Sequence, residues 1–249
     1  MAVRNSCEPN ESGCLGGAAQ VVPRILVAED DAVAGDLVTL MVRRLGYDVD
    51  RVANGSDAFG AVLRARAGGA SHAMVLMDAM MPAMTGSEAA RRIRNAGVGP
   101  AELPIIAMTG ATDERDVRGY LDAGMQGVLA KPLSLADLAT CCERWIPASG
   151  GAVPVRRDEP DAALRRRYHL RKAEVLGRFE HVCQSQDFAP PLAAELRDHL
   201  HKLAGTAGSF GDCAVGRAAA EGEALLLAAR AADLRTAVRR SYALLKAAG

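Results

Sequence analysis

The chain has 249 residues with 30 Lys+Arg against 30 Asp+Glu, and 49% of it is hydrophobic and 24% charged. That composition admits one or two packed domains and excludes a chain disordered throughout. Net neutrality removes the electrostatic case for a nucleic-acid partner, and no stretch reaches the roughly 18 consecutive apolar residues of a membrane span.

The charge is unevenly divided: residues 1–150 carry 14 Lys+Arg and 18 Asp+Glu, residues 151–249 carry 16 and 12. An acidic half followed by a basic half suggests two units. Residues 1–22 mix Glu, Asn, Pro and Gly without a signal-peptide apolar core, and are expected to form a flexible tail. Cys7, Cys14, Cys141, Cys142, Cys183 and Cys213 show neither CxxC nor zinc-ligand spacing. They read as reduced thiols in a cytoplasmic protein, with Cys141-Cys142 contributing to a core.

From residue 23 to 146 short apolar runs alternate with longer periodic ones, the pattern of βα units around a parallel sheet. Strands are expected at Ile25-Ala28, Tyr47-Val52, Met74-Met77, Ile105-Met108 and Val128-Ala130, with helices near 33–44, 56–66, 87–96, 113–123 and 135–145. Gly46, Gly97 and Gly124 fall at helix ends, Asn54-Gly55 closes the second strand, and Ser134 to Asp137 has the form of a capping box. Residues 147–160, rich in Pro and Gly and without apolar periodicity, read as a linker. Beyond it, 161–249 shows no strand pattern. Helices are expected near 161–183, 190–207, 213–230 and 232–247, with Leu192, Leu196, Leu200 and Leu203 on one stripe. This is the pattern of a four-helix bundle.

In an open parallel sheet, ligands bind beyond the carboxyl ends of the strands. The first strand runs into Glu29-Asp30-Asp31, the third ends at Asp78, the fourth at Thr109 and the fifth at Lys131-Pro132. Clustered carboxylates repel unless a cation neutralises them, and a hard divalent ion with oxygen ligands suits that role. Lys131 adds a point charge and Thr109 a hydroxyl donor. Together they suit an Asp nucleophile receiving a phosphoryl group.

The segments ILVAEDD, VLMDAMMPAMTG, IIAMTGA and GVLAKP resemble those of a response-regulator receiver domain, in the expected order. Spacings of 48 (Asp30 to Asp78), 31 (Asp78 to Thr109) and 22 (Thr109 to Lys131) match as well. The resemblance implies a flavodoxin-like doubly wound domain of five parallel strands. It implies Asp78 as phosphoacceptor, Mg²⁺ held by Glu29, Asp30, Asp78 and the Met80 carbonyl, and Thr109 and Lys131 on the phosphoryl group. Asp31 is expected to cap the first helix. Where the family commonly carries Tyr or Phe three residues before the Lys, this chain has Val128, which cannot act as a ring switch.

In the helical half, His199-Leu200-His201-Lys202-Leu203-Ala204-Gly205 resembles the phosphoacceptor segment of histidine-containing phosphotransfer (HPt) domains, with His201 in the acceptor position. A neutral imidazole can attack an acyl phosphate. Gly205, one turn further on, opens a gap for another protein's active site. The family's lysine three residues after the histidine is Ala204 here. Arg197 and Lys202 are the candidate replacements, Arg197 on the better face. His199 sits elsewhere on the helix and reads as structural.

The implied function is that of a phosphorelay protein, not an enzyme acting on a separate substrate, relaying phosphoryl groups through Asp78 and His201. Its partners would be sensor histidine kinases and other receiver or HPt proteins, with no nucleic acid or membrane. The alternative is a phosphate-gated docking module with a vestigial histidine. An Asp-nucleophile hydrolase would usually need an acid two residues beyond Asp78, where Met80 stands. The linker is long enough for the two halves to meet within one chain, while Pro147, Pro154 and Pro160 would stiffen it.

Overall fold

Apolar runs of four or five residues ending in polar ones build the sheet of this protein, seen in a computed structural model that describes residues 22–110, 113–146 and 162–249. The expected linker, and the expected tail up to residue 21 with Cys7 and Cys14, lie outside those residues. The strands are β1 (Arg24–Ala28), β2 (Asp48–Val52), β3 (Met74–Asp78), β4 (Ile105–Thr109) and β5 (Gly127–Ala130), all parallel in the order β2-β1-β3-β4-β5. β3 and β4 are buried along their whole length, as the continuous runs MVLMD and IIAMT require, whereas the edge strand β2 (DVDRV) mixes polar and apolar residues and is only partly covered.

The intervening helices are α1 (Ala32–Arg44), α2 (Gly55–Ala67), α3 (Gly86–Asn95), α4 (Glu114–Asp122) and α5 (Leu135–Trp145). Each begins where a short polar side chain satisfies an otherwise unpaired amide of the first turn. Asp31 accepts from Ala34 N, Asn54 from Asp57 N, Thr85 from Glu88 N, Asp113 from Asp116 N and Ser134 from Asp137 N. Asn54 therefore starts α2 rather than merely closing β2. Gly46, Gly97 and Gly124 take positive φ after α1, α3 and α4, and Cys141 and Cys142 are both buried.

The second half is helical: α6 (Ala162–Ser185), α7 (Pro190–Ala207), α8 (Cys213–Ala228) and α9 (Leu234–Ala248). α7 starts on Pro190-Pro191, where a missing amide costs nothing. Leu196, Leu200 and Leu203 of α7 meet Phe179 and Val182 of α6, Val215 and Leu226 of α8, and Val238 and Leu245 of α9 in one apolar core. Tyr168 stacks on Phe210 at 4.5 Å between ring centroids and donates to Asp212 Oδ2 at 2.8 Å, tying α6 to the turn between α7 and α8.

The two halves touch. α6 lies against α1, where Arg171 Nη1 meets Asp31 Oδ1 at 2.7 Å and Arg167 pairs with Asp36. The basic half thus contributes cations and the acidic half carboxylates, as the uneven charge along the chain favours.

Candidate functional site

β1 and β3 are neighbours, and the strand order reverses between them, so the chain leaves their carboxyl ends in opposite directions and opens a crevice there. Glu29 and Asp30 follow β1, and Asp78 ends β3. Their carboxylate oxygens lie within 4.8 Å of one another, with Glu29 and Asp78 buried and Asp30 half-buried. Met80, in the turn after β3, donates its N–H to Asp78 Oδ1 at 3.1 Å, fixing that carboxylate.

Lys131 closes the crevice from the end of β5. Its Nζ lies 2.8 Å from Glu29 Oε2 and 3.0 Å from Asp78 Oδ2, and its side chain is only 7% exposed. Burial disfavours the ammonium, but the Glu29 and Asp78 carboxylates outweigh it and hold Lys131 protonated, above its ordinary value. Burial pushes the Glu29 carboxyl up to about 8. Lys131 pulls the other way and Asp78 adds to the rise. The site therefore has more buried carboxylate than Lys131 can neutralise, and its all-oxygen donor set fits a hard divalent ion. Thr109, buried at the end of β4, stands one position beyond the residue paired with Asp78, and its Oγ1 lies 3.1 Å from the Tyr120 hydroxyl of α4.

α7 completes the crevice. Glu29, Asp30, Asp31, Asp78 and Lys131 line one cavity together with His201, Lys202, Gly205 and Thr206, and at about 10 Å³ it has room for about one water molecule. Such proximity requires small residues. A Cβ on Gly205 would sit 3.3 Å from Lys131 Cδ, and one on Gly208 would sit 2.5 Å from Pro132 Cγ. Ser209 Oγ donates to the Leu133 carbonyl at 2.9 Å. The gap beside His201 is thus filled by this chain's own receiver-like half, which leaves the imidazole half-buried rather than on an open face.

His201 Nδ1 lies 2.9 Å from Glu223 Oε1 of α8. This hydrogen bond raises the histidine above its ordinary value near 6.5 against the opposing effect of burial, with Glu223's charge adding to the rise. Donation from Nδ1–H to Glu223 would leave Nε2 with the free lone pair. Lys202 Nζ reaches Asp30 Oδ2 at 3.1 Å and Asp198 Oδ2 at 3.0 Å. It is therefore Lys202, not Arg197, that meets the acidic crevice. Lys202 and Thr206 of α7 line the acidic cavity, while Arg197 and Asp198 stay exposed on the rim of a wider groove. That groove, about 1100 Å³, opens on the opposite flank between Met80, Thr109, Tyr120, His201 and Leu227. His199 lies 3.8 Å from Glu195 on its own helix and takes no part.

Glu223 and Tyr120 are additions that sequence reasoning did not single out. Each is a lone residue on an amphipathic helix, and its partner is on another element.

Residues 25–143 match the family model of the response regulator receiver domain. The yeast Saccharomyces cerevisiae transcription factor SKN7 is 34% identical over 140 residues, 55% of this chain and 21% of that protein. The sensor histidine kinase AruS of Pseudomonas aeruginosa is 32% identical over 242 residues, 90% of this chain and 23% of that protein. The DNA-binding response regulator MtrA of Mycobacterium tuberculosis is 34% identical over 116 residues, 46% of this chain and of that protein. The chain thus spans between a fifth and a half of the length of these curated relatives. Among solved structures, a receiver domain of a Pseudomonas aeruginosa sensor histidine kinase, with magnesium coordinated in its active-site cleft, is 36% identical. The match covers 51% of this chain and 99% of that one, with a TM-score of 0.46. Residues 25–143 are a two-component response regulator receiver domain.

Proposed function

We propose that the chain is a phosphorelay protein in which the receiver accepts a phosphoryl group on Asp78 and the helical half, acting as an HPt domain, carries it on His201. One observation carries this reading: Asp78 and His201 line the same cavity, between Lys131 and Lys202. The alignment with the sensor kinase, running over 90% of this chain, supports treating both halves as signalling modules.

Glu29, Asp30, Asp78 and the Met80 carbonyl would hold Mg²⁺, whose charge offsets that of the incoming phosphoryl oxygens. The rest belongs to this chain's own residues. For transfer toward His201, the Nε2 lone pair attacks phosphorus, the bond from phosphorus to the Asp78 oxygen breaks, and the carboxylate leaves with the electron pair. Glu223 holds the Nδ1 proton and steadies the positive charge that develops on the ring. In the reverse direction an Asp78 oxygen attacks, the P–N bond breaks, and neutral imidazole leaves. Lys131 stands ready to balance the phosphoryl charge, and Thr109 supplies a hydroxyl donor.

The partners in this reading are sensor histidine kinases and other receiver or HPt proteins, in the cytoplasm, with no separate substrate turned over. Among the described residues no helix is long and apolar enough to cross a membrane. Labelling by a phosphorylated histidine kinase tests the function directly, since acyl phosphate on Asp is labile to alkali and phosphoramidate on His is labile to acid. Alkali-labile label lost in Asp78→Asn, and alkali-stable, acid-labile label lost in His201→Gln, are the expected results. Alkali-stable label persisting in His201→Gln would place the acceptor on another histidine, and a wild-type chain that never carries such label would leave the docking-module alternative for the helical half.

A further inference from the structure

The cavity between Asp78 and His201 contains a cation that the receiver does not supply. Glu29, Asp30 and Asp78 offer three carboxylates. Lys131 pairs with Glu29 and Asp78, and Asp30 is left to Lys202 of α7. Asp30 is one of the three groups whose oxygens converge within 4.8 Å, so Lys202 binds a carboxylate at the position a divalent ion would neutralise.

We propose that Lys202 is a positioning residue that docks the helical half onto Asp30 in place of the divalent ion, so that Mg²⁺ binding and docking oppose one another. This rests on the reading of the acidic crevice as the receiver's metal site. A lysine ammonium beside Asp30 repels an arriving divalent ion and occupies one of its ligands. With the ion bound, the crevice holds enough positive charge that Lys202 loses its partner there and falls back on Asp198, one turn earlier on its own helix. Reciprocity follows from linkage: whatever factor docking takes from metal affinity, the metal takes from docking. Other contacts between the halves, among them Arg171 with Asp31, Arg167 with Asp36 and Ser209 with the Leu133 carbonyl, lie outside the three-carboxylate cluster. They would hold the halves near one another while the Lys202 contact exchanges.

Calorimetric titration of MgCl₂ into the full chain and into Lys202→Met, at one fixed ionic strength, tests the competition. Met keeps the stem and the helix propensity, and Lys202→Gln serves as a second variant. Lys202→Met is expected to bind Mg²⁺ about three- to tenfold more tightly, the scale of a partly exposed ion pair. In the unmodified chain, hydrogen exchange across residues 202–210 is expected to quicken when Mg²⁺ is added. Affinities equal within about twofold, or exchange indifferent to the ion, would overturn the competition. If that happens while Asp78 still labels in a Mg²⁺-dependent way, the phosphorelay reading stands. If no chain binds Mg²⁺ and Asp78 does not label, both fall.

Discussion

His201 Nδ1 and Glu223 Oε1 lie 2.9 Å apart and join α7 to α8 across the face that carries the candidate phosphoacceptor. The pair selects which ring nitrogen is free and sets the pH at which it is free. Because the hydrogen bond to Glu223 raises the histidine, phosphoryl acceptance should fall as pH drops through a midpoint above 6.5. Glu223→Gln should move that midpoint downward and slow transfer even at pH 8, through loss of ring orientation. Titration of the His201 ring signals by NMR, beside transfer rates, checks both. Stabilisation from the charged pair is fully present below the unfolded value and disappears as pH rises through the folded one, so Glu223→Gln should cost more stability at pH 6 than at pH 9.

Lys131 is nearly buried against two carboxylates, so its removal should do more than slow chemistry. Lys131→Met is expected to destabilise the receiver by about 3–5 kcal/mol near neutral pH, the cost of leaving buried charge unpaired. The deficit should shrink in acid. Glu29, already raised from 4.5 to about 8 in the folded chain, takes up its proton as pH falls through that upper value, and its cost to stability grows as pH rises from 4.5 to about 8. Urea unfolding at pH 5 and pH 8 gives the comparison.

Gly208 sits on helical backbone, so alanine suits its conformation, but a Cβ there would lie 2.5 Å from Pro132 Cγ. Gly208→Ala should therefore leave the helical half folded while pushing it off the receiver. Unchanged helical circular dichroism with faster exchange at the Leu133 amide is the expected pattern. Transfer between Asp78 and His201 in one chain should slow by at least tenfold in the same variant, taking about 1–3 kcal/mol for overpacking.

Val128 leaves no ring to swing at that position, yet Thr109 is bonded to a ring elsewhere: Tyr120 of α4, at 3.1 Å between hydroxyls. A phosphoryl group that draws on the Thr109 hydroxyl should break this bond and loosen α4 rather than β5. Hydrogen exchange with a phosphoryl mimic should show changes concentrated in residues 114–122, and Tyr120→Phe should abolish most of them.

The receiver was legible because its signals are local or evenly spaced. Caps such as Asp31 and Ser134 act over three residues, and the buried strands announce themselves as apolar runs ending in Asp78 and Thr109. The stripe of α7 was legible for the same reason, with Leu196, Leu200 and Leu203 all buried. What escaped depends on the angle at which one helix meets another. Arg197 is the cation on the expected face of α7, and only the rotation of that helix against β1 makes Lys202 the one that meets Asp30. Glu223 lies 22 residues from its histidine, and Arg171 lies 140 from Asp31. No periodicity in the chain encodes those distances.

The docked helices cover the β1 flank of the crevice and leave the Met80–Thr109–Tyr120 flank facing the groove. Traffic through the site is therefore one-sided while the halves stay together. A small phosphodonor has an entrance along the groove, but a folded partner seeking His201 or Asp78 meets a doorway already taken by the chain itself. On the proposed phosphorelay reading, exchange with other proteins would be timed by how often the halves part, whereas exchange between Asp78 and His201 would need only enough loosening to admit a phosphoryl group to their shared cavity. If the proposed relay holds, such a chain would keep a signal internally and release it on a clock of its own.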